Sequence, residues 1–569
     1  MRKKINTFLF SSMLIVFCMG GCASVPAPRL APQAPQDGES FSGKAAYHFS
    51  MAILLKQDGD LTGAVLEMQK ALGADPDSPY LIAEMIALYI ENSEADRARK
   101  LGEEALEKYP EATRIRSIMG GLYFHLREYD RAIAEYKTVI RHDPKNLVAY
   151  FYLATIYAMQ KKYEDSEKAF QDFLVQDPDN LMGNYYYARV LSDMNRTADS
   201  EALFKKVIMD RPDFEAAVVD LAALYERTGQ LDQAISVYRD MLVSNPARSN
   251  LRLKIGDLLI RQKKPDAAEK EFLEVLLYEP DHREARTALG LLYYDMEKLD
   301  LAIAEFTTLL SRNVSDDRIR YLLANTLDKS GDDNGAVGHY LRVSPSFELY
   351  ANARIQAAMI LKAHKKNKEA VALLQQAITI KQDQVILYLY LSSLQEDQKD
   401  MDGALQTLLA AGRLFPRDVD VHYALGMVYE KTDRLDESIS AMEAVLKIDP
   451  EHADALNFIG YSWADRDMNL DEAEDLIVRA LKLKPDSAYI LDSLGWVHFK
   501  KKKYDSALLH LKKAHDLLPD DPTILEHLGD VYLKIGRNRE AQAAYQKALQ
   551  MDPDSSGLKK KLDHFNPNP

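Results

Sequence analysis

The chain has 569 residues, of which 47% are apolar, and a formal net charge of −15. That apolar content rules out a disordered chain, and the acidic balance argues against nonspecific binding to nucleic acid. The two cysteines, Cys18 and Cys22, both lie near the N-terminus, so the rest of the chain can form neither an internal disulfide nor a cysteine zinc site.

Residues 1–21 read as a secretory signal peptide. Arg2, Lys3 and Lys4 are basic, and residues 5–19 are mainly apolar but too short for a good spanning helix. Met19, Gly20, Gly21 and Cys22 then resemble a bacterial lipobox. The resemblance implies cleavage before Cys22 and a lipid on its sulfur and amine, and more than one acyl chain is enough for stable anchoring. Ala23 follows, and in lipoprotein families the absence of Asp there favours the outer membrane. Residues 22–42 carry the lipidated cysteine and a Pro/Ala-rich tether with Pro26, Pro28, Pro32 and Pro35, whose backbone cannot build a core.

From Gly43 a helical period begins. Proline stops fall at Pro76, Pro110, Pro144, Pro178, Pro212, Pro246 and Pro280, each 34 residues after the last, and resume at Pro416, Pro450, Pro485, Pro519 and Pro553. Between stops, a small residue recurs in a first helix, among them Gly120, Ala154, Ala188, Gly256, Gly290, Gly426, Gly460, Gly495 and Gly529. Glycine inside a helix costs about 1 kcal/mol against alanine, so its repeated use predicts helices too close for a larger side chain. A second small residue recurs in a second helix from Ala64 to Ala541, as Ala or Ser in all fifteen places. This spacing is that of a tetratricopeptide repeat, a 34-residue helix-turn-helix unit. The resemblance implies an all-α, right-handed superhelical solenoid of about fifteen repeats, with first helices lining a concave groove.

Ile86 and Ser392 depart from the first-helix pattern, and Val314 and Gln382 stand where stop prolines are expected. Pro345 comes three residues early, which predicts a shortened second helix in the ninth repeat. The chain is therefore divided into an N-terminal array at 43–314, irregular repeats at 315–382 and a C-terminal array at 383–553. Residues 554–569 form a capping helix and tail, with Leu558, Leu562 and Phe565 at helical spacing.

No catalytic pattern is present: there is no phosphate-binding glycine loop, nucleophile elbow or His-Glu-x-x-His sequence. No cofactor, metal or enzymatic activity is expected. The repeat frame places Phe151, Tyr185, Tyr186 and Arg189 on the groove side in the N-terminal half, with Tyr187 in the core. In the C-terminal half it places Asn457, Tyr461, Asp492, Trp496, Phe499, Glu526 and Asp530 there. Aromatics with a few polar groups suit an extended peptide or a partner's loop.

Residues 456–549 carry the most specific resemblance. Gly460-Tyr461-Ser462-Trp463-Ala464-Asp465, Leu491-Asp492-Ser493-Leu494-Gly495-Trp496 and Glu526-His527-Leu528-Gly529-Asp530 look like the C-terminal repeats of Gram-negative envelope tetratricopeptide lipoproteins. Some relatives are adaptors that dock periplasmic carboxy-terminal processing proteases and their peptidoglycan-hydrolase substrates. The resemblance implies a membrane-anchored scaffold on the periplasmic face of the outer membrane that captures proteins or peptides. The alternatives are an assembly factor for polysaccharide or protein export, and a glycan-binding protein that stacks sugars on Trp496 and Tyr461.

Overall fold

The structure, a computed structural model, describes residues 42–565. The signal peptide, the lipidated Cys22 and the tether up to residue 41 lie outside the described residues. The described residues hold 31 helices. Thirty of them pair into fifteen antiparallel hairpins, and Ser556–Asp563 stands alone at the end. A typical hairpin joins a first helix of 13 residues, such as Ala453–Asp465, to a second of 14, such as Leu470–Leu483. Two compact units share the hairpins, the first ending at Pro280 and the second beginning at Asp281.

Each hairpin turn is built the same way. One residue enters the left-handed region, at Gly59, Gly229, Gly331 and Gly536 and at eleven non-glycine positions such as Ser93, Lys161, Asp433 and Lys502. The next amide donates back five residues, as Glu94 N–H does to the Tyr89 carbonyl (2.8 Å). This closure satisfies carbonyls at the end of the first helix. Asn469 is a second left-handed residue, two after Asp467 in the turn that the extra residue lengthens.

The small second-helix residues are the seam of each hairpin, and all fifteen have no exposed surface. Where serine replaces alanine, its hydroxyl finds a fixed acceptor. Ser166 Oγ donates to the Ala154 carbonyl (2.8 Å), Ser200 Oγ to Ala188 (2.7 Å) and Ser438 Oγ to Gly426 (2.7 Å). Each acceptor belongs to the small residue of the facing helix, so a polar atom is buried without loss of a partner.

The first-helix glycines are close-contact positions, as the pattern predicts. A Cβ on Gly256 would meet Phe272 Cε1 at 2.2 Å, on Gly290 Phe306 Cε1 at 2.6 Å, and on Gly529 Tyr545 Cε1 at 2.3 Å. The exception at Ile86 is compensated. Sixteen residues on, where other repeats place a large aromatic or aliphatic side chain, stands Gly102, and Met119 fills the space against it, its Sδ 2.0 Å from where a Cβ would be. Both Ile86 and Met119 are fully buried.

Prolines are not what stops the second helices. The cap residue has nearly the same backbone at Asp143 (φ −130°, ψ 84°), before a proline, and at Asn313 (−133°, 88°) and Lys381 (−131°, 80°), before Val314 and Gln382. In the ninth repeat the second helix, Asp333–Leu341, has only 9 residues. Arg354 takes over the lost turn: its buried guanidinium donates to the carbonyls of Tyr340, Leu341 (2.9 Å) and Val343 (3.2 Å). At the C-terminus, Leu558 of Ser556–Asp563 is buried against the cluster around Tyr545, with Leu562 and Phe565 beside it.

Candidate functional site

The strongest polar and aromatic constellation lies on three successive first helices, Ala453–Asp465, Ala488–Lys500 and Pro522–Lys534, the middle one packing directly against both others. Gly460, Gly495 and Gly529 face the other way, each against the second helix of its own hairpin, where a Cβ would meet Ile477, Leu511 and Tyr545.

Trp496 is at the centre. Its indole is stacked on His527 (centroids 4.0 Å apart) and on Phe499 (5.0 Å), and its Nε1–H donates to Asp465 Oδ1 (3.1 Å). Lys500 Nζ lies 5.2 Å from the indole and donates to the Asp465 carbonyl (2.7 Å). His527 Nδ1–H donates to both oxygens of Asp492 (2.9 and 3.1 Å). Asp492 and His527 are 6% exposed each and Trp496 8%, so these three are buried. That corrects the expectation that Asp492 and Trp496 face an open groove. The side chains of the next repeat, His527 above all, close over them.

Tyr461 is half-buried beside His527, and burial together with the carboxylates of Asp465, Asp492 and Glu526 pushes its phenol well above the usual range. Glu526 and Asp530 both accept from Lys561 Nζ at 2.7 Å, and Asp530 also accepts from the Tyr545 hydroxyl (2.6 Å). Burial would lower Lys561, but these two carboxylates outweigh it and raise it. The terminal helix thus inserts a cation into the acidic end of the constellation. Asn457, one helical turn before Tyr461, has a buried side-chain oxygen without a partner.

In the first unit the expected residues form a separate cluster. Phe151 meets Tyr186 edge to face (5.3 Å), and Tyr186 meets Tyr185 (5.1 Å). The Tyr185 hydroxyl donates to Asp220 Oδ2 (2.8 Å), and half-exposed Arg189 lies 3.5 Å from the same oxygen. Phe151 and Tyr185 are buried, at 6% and 3% exposure, again contrary to an open groove position. The expected order of the tyrosines is reversed: Tyr185 is the deeply buried one, and Tyr187 is half-buried over Phe170, its hydroxyl donating to Glu167 (2.9 Å).

Asp220, Asp257 and Lys561 were not singled out by the sequence, and His527 entered only as part of a repeat motif. Asp257 follows the close-contact Gly256 at the repeat position held by Arg189, Tyr461 and Trp496, which is the signal that marks it. Solvent reaches its side chain, yet the surrounding protein pushes its carboxyl up to about 6. Three lysines of the basic run Lys500–Lys503 are paired within the chain: Lys501 with Asp471 and Glu474, Lys500 with Asp467, and Lys503 with Glu474.

Within each unit, helical hairpins stacked in series, with first helices of several neighbouring repeats in contact, define a repeat array of the protein-interaction class. The chain belongs to the tetratricopeptide repeat family: models described as tetratricopeptide repeat match residues 55–122, 122–180, 188–249, 227–292, 287–347, 419–452, 464–522 and 498–562. Such arrays are generally non-enzymatic scaffolds that bind proteins or peptides.

A TPR repeat-containing protein of Pseudomonas aeruginosa is 30% identical over 199 residues, 35% of this chain and 34% of that protein. The match thus spans about a third of the relative's length. Among solved structures, a tetratricopeptide repeat protein from Parabacteroides merdae is 18% identical, covering 44% of this chain and 99% of that one, with a TM-score of 0.33. The Cut9–Hcn1 complex of the APC/C is 16% identical, covering 92% and 96%, with a TM-score of 0.35.

Proposed function

We propose that this protein is a membrane-anchored, non-enzymatic scaffold in the periplasm that captures partner proteins along the first-helix face of its repeats. Support for the anchor comes from the sequence alone, from the lipobox-like residues ending at Cys22 and the proline-rich stretch after it. A lipid anchor confines the scaffold to one surface and raises the local concentration of whatever it holds. The carrying observation for partner capture is the network running from Tyr461 through Asp492, Trp496 and His527 to Glu526, Asp530 and Lys561. It spans three repeats and fixes its aromatic and acidic groups before any partner arrives, which lowers the ordering cost of binding.

Its partly exposed carboxylates suit a partner segment with basic side chains, such as a protease or a peptidoglycan hydrolase presenting a cationic loop. The direct glycan reading is weaker, because the indole of Trp496 is already stacked on His527 and Phe499. The test is crosslinking and recovery from intact cells with the native chain, compared with Glu526→Gln and Lys561→Ala. Glu526 and Lys561 keep about a third of their side chains exposed, so these changes spare the buried core. Loss of one periplasmic partner with Glu526→Gln, and its retention or gain with Lys561→Ala, supports the reading. An unchanged partner set with both variants refutes it.

A further inference from the structure

The second helices carry a feature that the first-helix face does not explain. Val175, Met209, Val243 and Leu277 occupy the same position in four consecutive hairpins, nine residues after the small seam residue. They lie near the ends of the helices Tyr163–Gln176, Thr197–Asp210, Leu231–Ser244 and Pro265–Tyr278. Their exposures are 75%, 80%, 82% and 71%, among the highest of any large apolar side chains in the described residues. None of the other eleven hairpins places a large apolar side chain there; Glu107, Arg141, Ser311 and Lys447 are typical. Scattered exposed apolar residues are ordinary, but a ridge in four adjacent repeats is a surface that water disfavours.

We infer that this ridge is a self-association surface, on which a second copy of the chain docks in antiparallel two-fold fashion. A two-fold axis between the second and third hairpins sets Met209 against the partner's Val243 and Val175 against the partner's Leu277. Such an isologous pairing needs one self-complementary patch and closes at two copies. The charges one turn before the ridge agree with it. Lys206 and Asp240 stand three residues before Met209 and Val243, so each faces its opposite across the axis; within one chain Lys206 pairs with Asp179 (3.0 Å) and donates to the Pro178 carbonyl (2.8 Å), and its Nζ turns from these to reach Asp240 of the second copy. The four side chains expose on the order of 300 Å² of apolar surface per copy, about 600 Å² in the pair, and the polar groups bordering the ridge supply the remainder of the ~1,000 Å² that a specific interface must clear. This surface lies on the second helices, so the inference stands independently of partner capture by the first-helix face.

Sedimentation velocity of the full chain in a non-ionic detergent tests it. The expected result is a concentration-dependent dimer, converted to monomer by Met209→Asp with Val243→Asp while the helical circular dichroism stays the same. Should that pair impair folding, the charges decide alone. Lys206→Glu weakens the dimer about tenfold and Asp240→Lys added to it restores the affinity. A monomer at every concentration, or a dimer indifferent to both sets of changes, overturns the inference.

Discussion

Two glycines in different repeats give substitutions of opposite sign, and this is the sharpest test of how the hairpins close. Gly256→Ala puts a Cβ 2.2 Å from Cε1 and 2.5 Å from Cζ of Phe272, a ring with no exposed surface. The ring cannot swing into solvent, so the helices must part. Overpacking of this kind costs about 1–3 kcal/mol, and the better helix propensity of alanine returns about 1. The chain shows that the strain can be relieved, because Ala188 is paired with Phe204 at the equivalent place. The net loss is therefore at most about 2 kcal/mol, with about 1 the central value. Gly121→Ala meets only the Tyr136 hydroxyl, at an ordinary 3.7 Å, and gains about 0.5–1 kcal/mol from propensity alone. An array of repeats does not unfold as one unit, so the assay is amide exchange read helix by helix. Protection of Ser249–Arg261 should fall about tenfold in the first variant and that of Thr113–His125 should rise a few-fold in the second. Shifts of the same sign, or no change in Ser249–Arg261, refute the close-contact reading of the glycines.

Lys161 holds the left-handed turn at φ 58°, so Lys161→Gly should stabilise its hairpin by about 0.5–1 kcal/mol, seen as a higher urea midpoint for its helices. Burial alone would raise the Glu474 carboxyl, but hydrogen bonds from Lys501, His498 and Lys503 hold it at about 2. Its folded pKa lies below the unfolded value, so its stabilisation is complete above pH ~4.5 and is lost as pH falls towards 2. Glu474→Gln should cost roughly 1–2 kcal/mol at pH 7, after allowance for solvent screening, and nothing near pH 2; thermal melts across that range check it. Asp257 is the opposite case: solvent reaches its side chain, yet the protein packed around it raises its carboxyl to about 6. The folded state is favoured most below its unfolded pKa, and that gain is lost as pH rises through 6. Asp257→Asn should therefore stabilise the first unit by about 1 kcal/mol at pH 7, with the gain shrinking to nothing below pH ~4 in the same melts.

The period, the seam residues and the close-contact glycines were legible in the sequence because each is a local rule repeated down the chain, the seam residue in all fifteen hairpins. Even the short ninth-repeat helix was announced by Pro345. The candidate site was legible only as a face. Which side chains on that face stay open depends on pairs 31 to 35 residues apart, such as Trp496 with Asp465 and Asp492 with His527. A repeat frame treats every first helix as equivalent, so it assigns Phe151, Tyr185, Asp492 and Trp496 to solvent. The bulk of the neighbouring repeat buries them instead. Lys561 belongs to the terminal helix rather than to the frame, and only the fold brings it to Glu526 and Asp530. Arg354 is similar: nothing in its own repeat marks it as the group that closes the helix before it.

The hairpin seams also govern how the molecule would respond to force. Each hairpin is closed by its own small residue and its own left-handed turn, and its packing reaches only to its neighbours. Tension applied at one end therefore loads one seam at a time instead of the whole array. Each rupture releases a hairpin of 34 residues, roughly 110–120 Å of extended chain. Pulled between a surface and a held partner, such a protein would lengthen in uniform steps, a series of replaceable links in place of a single breaking point.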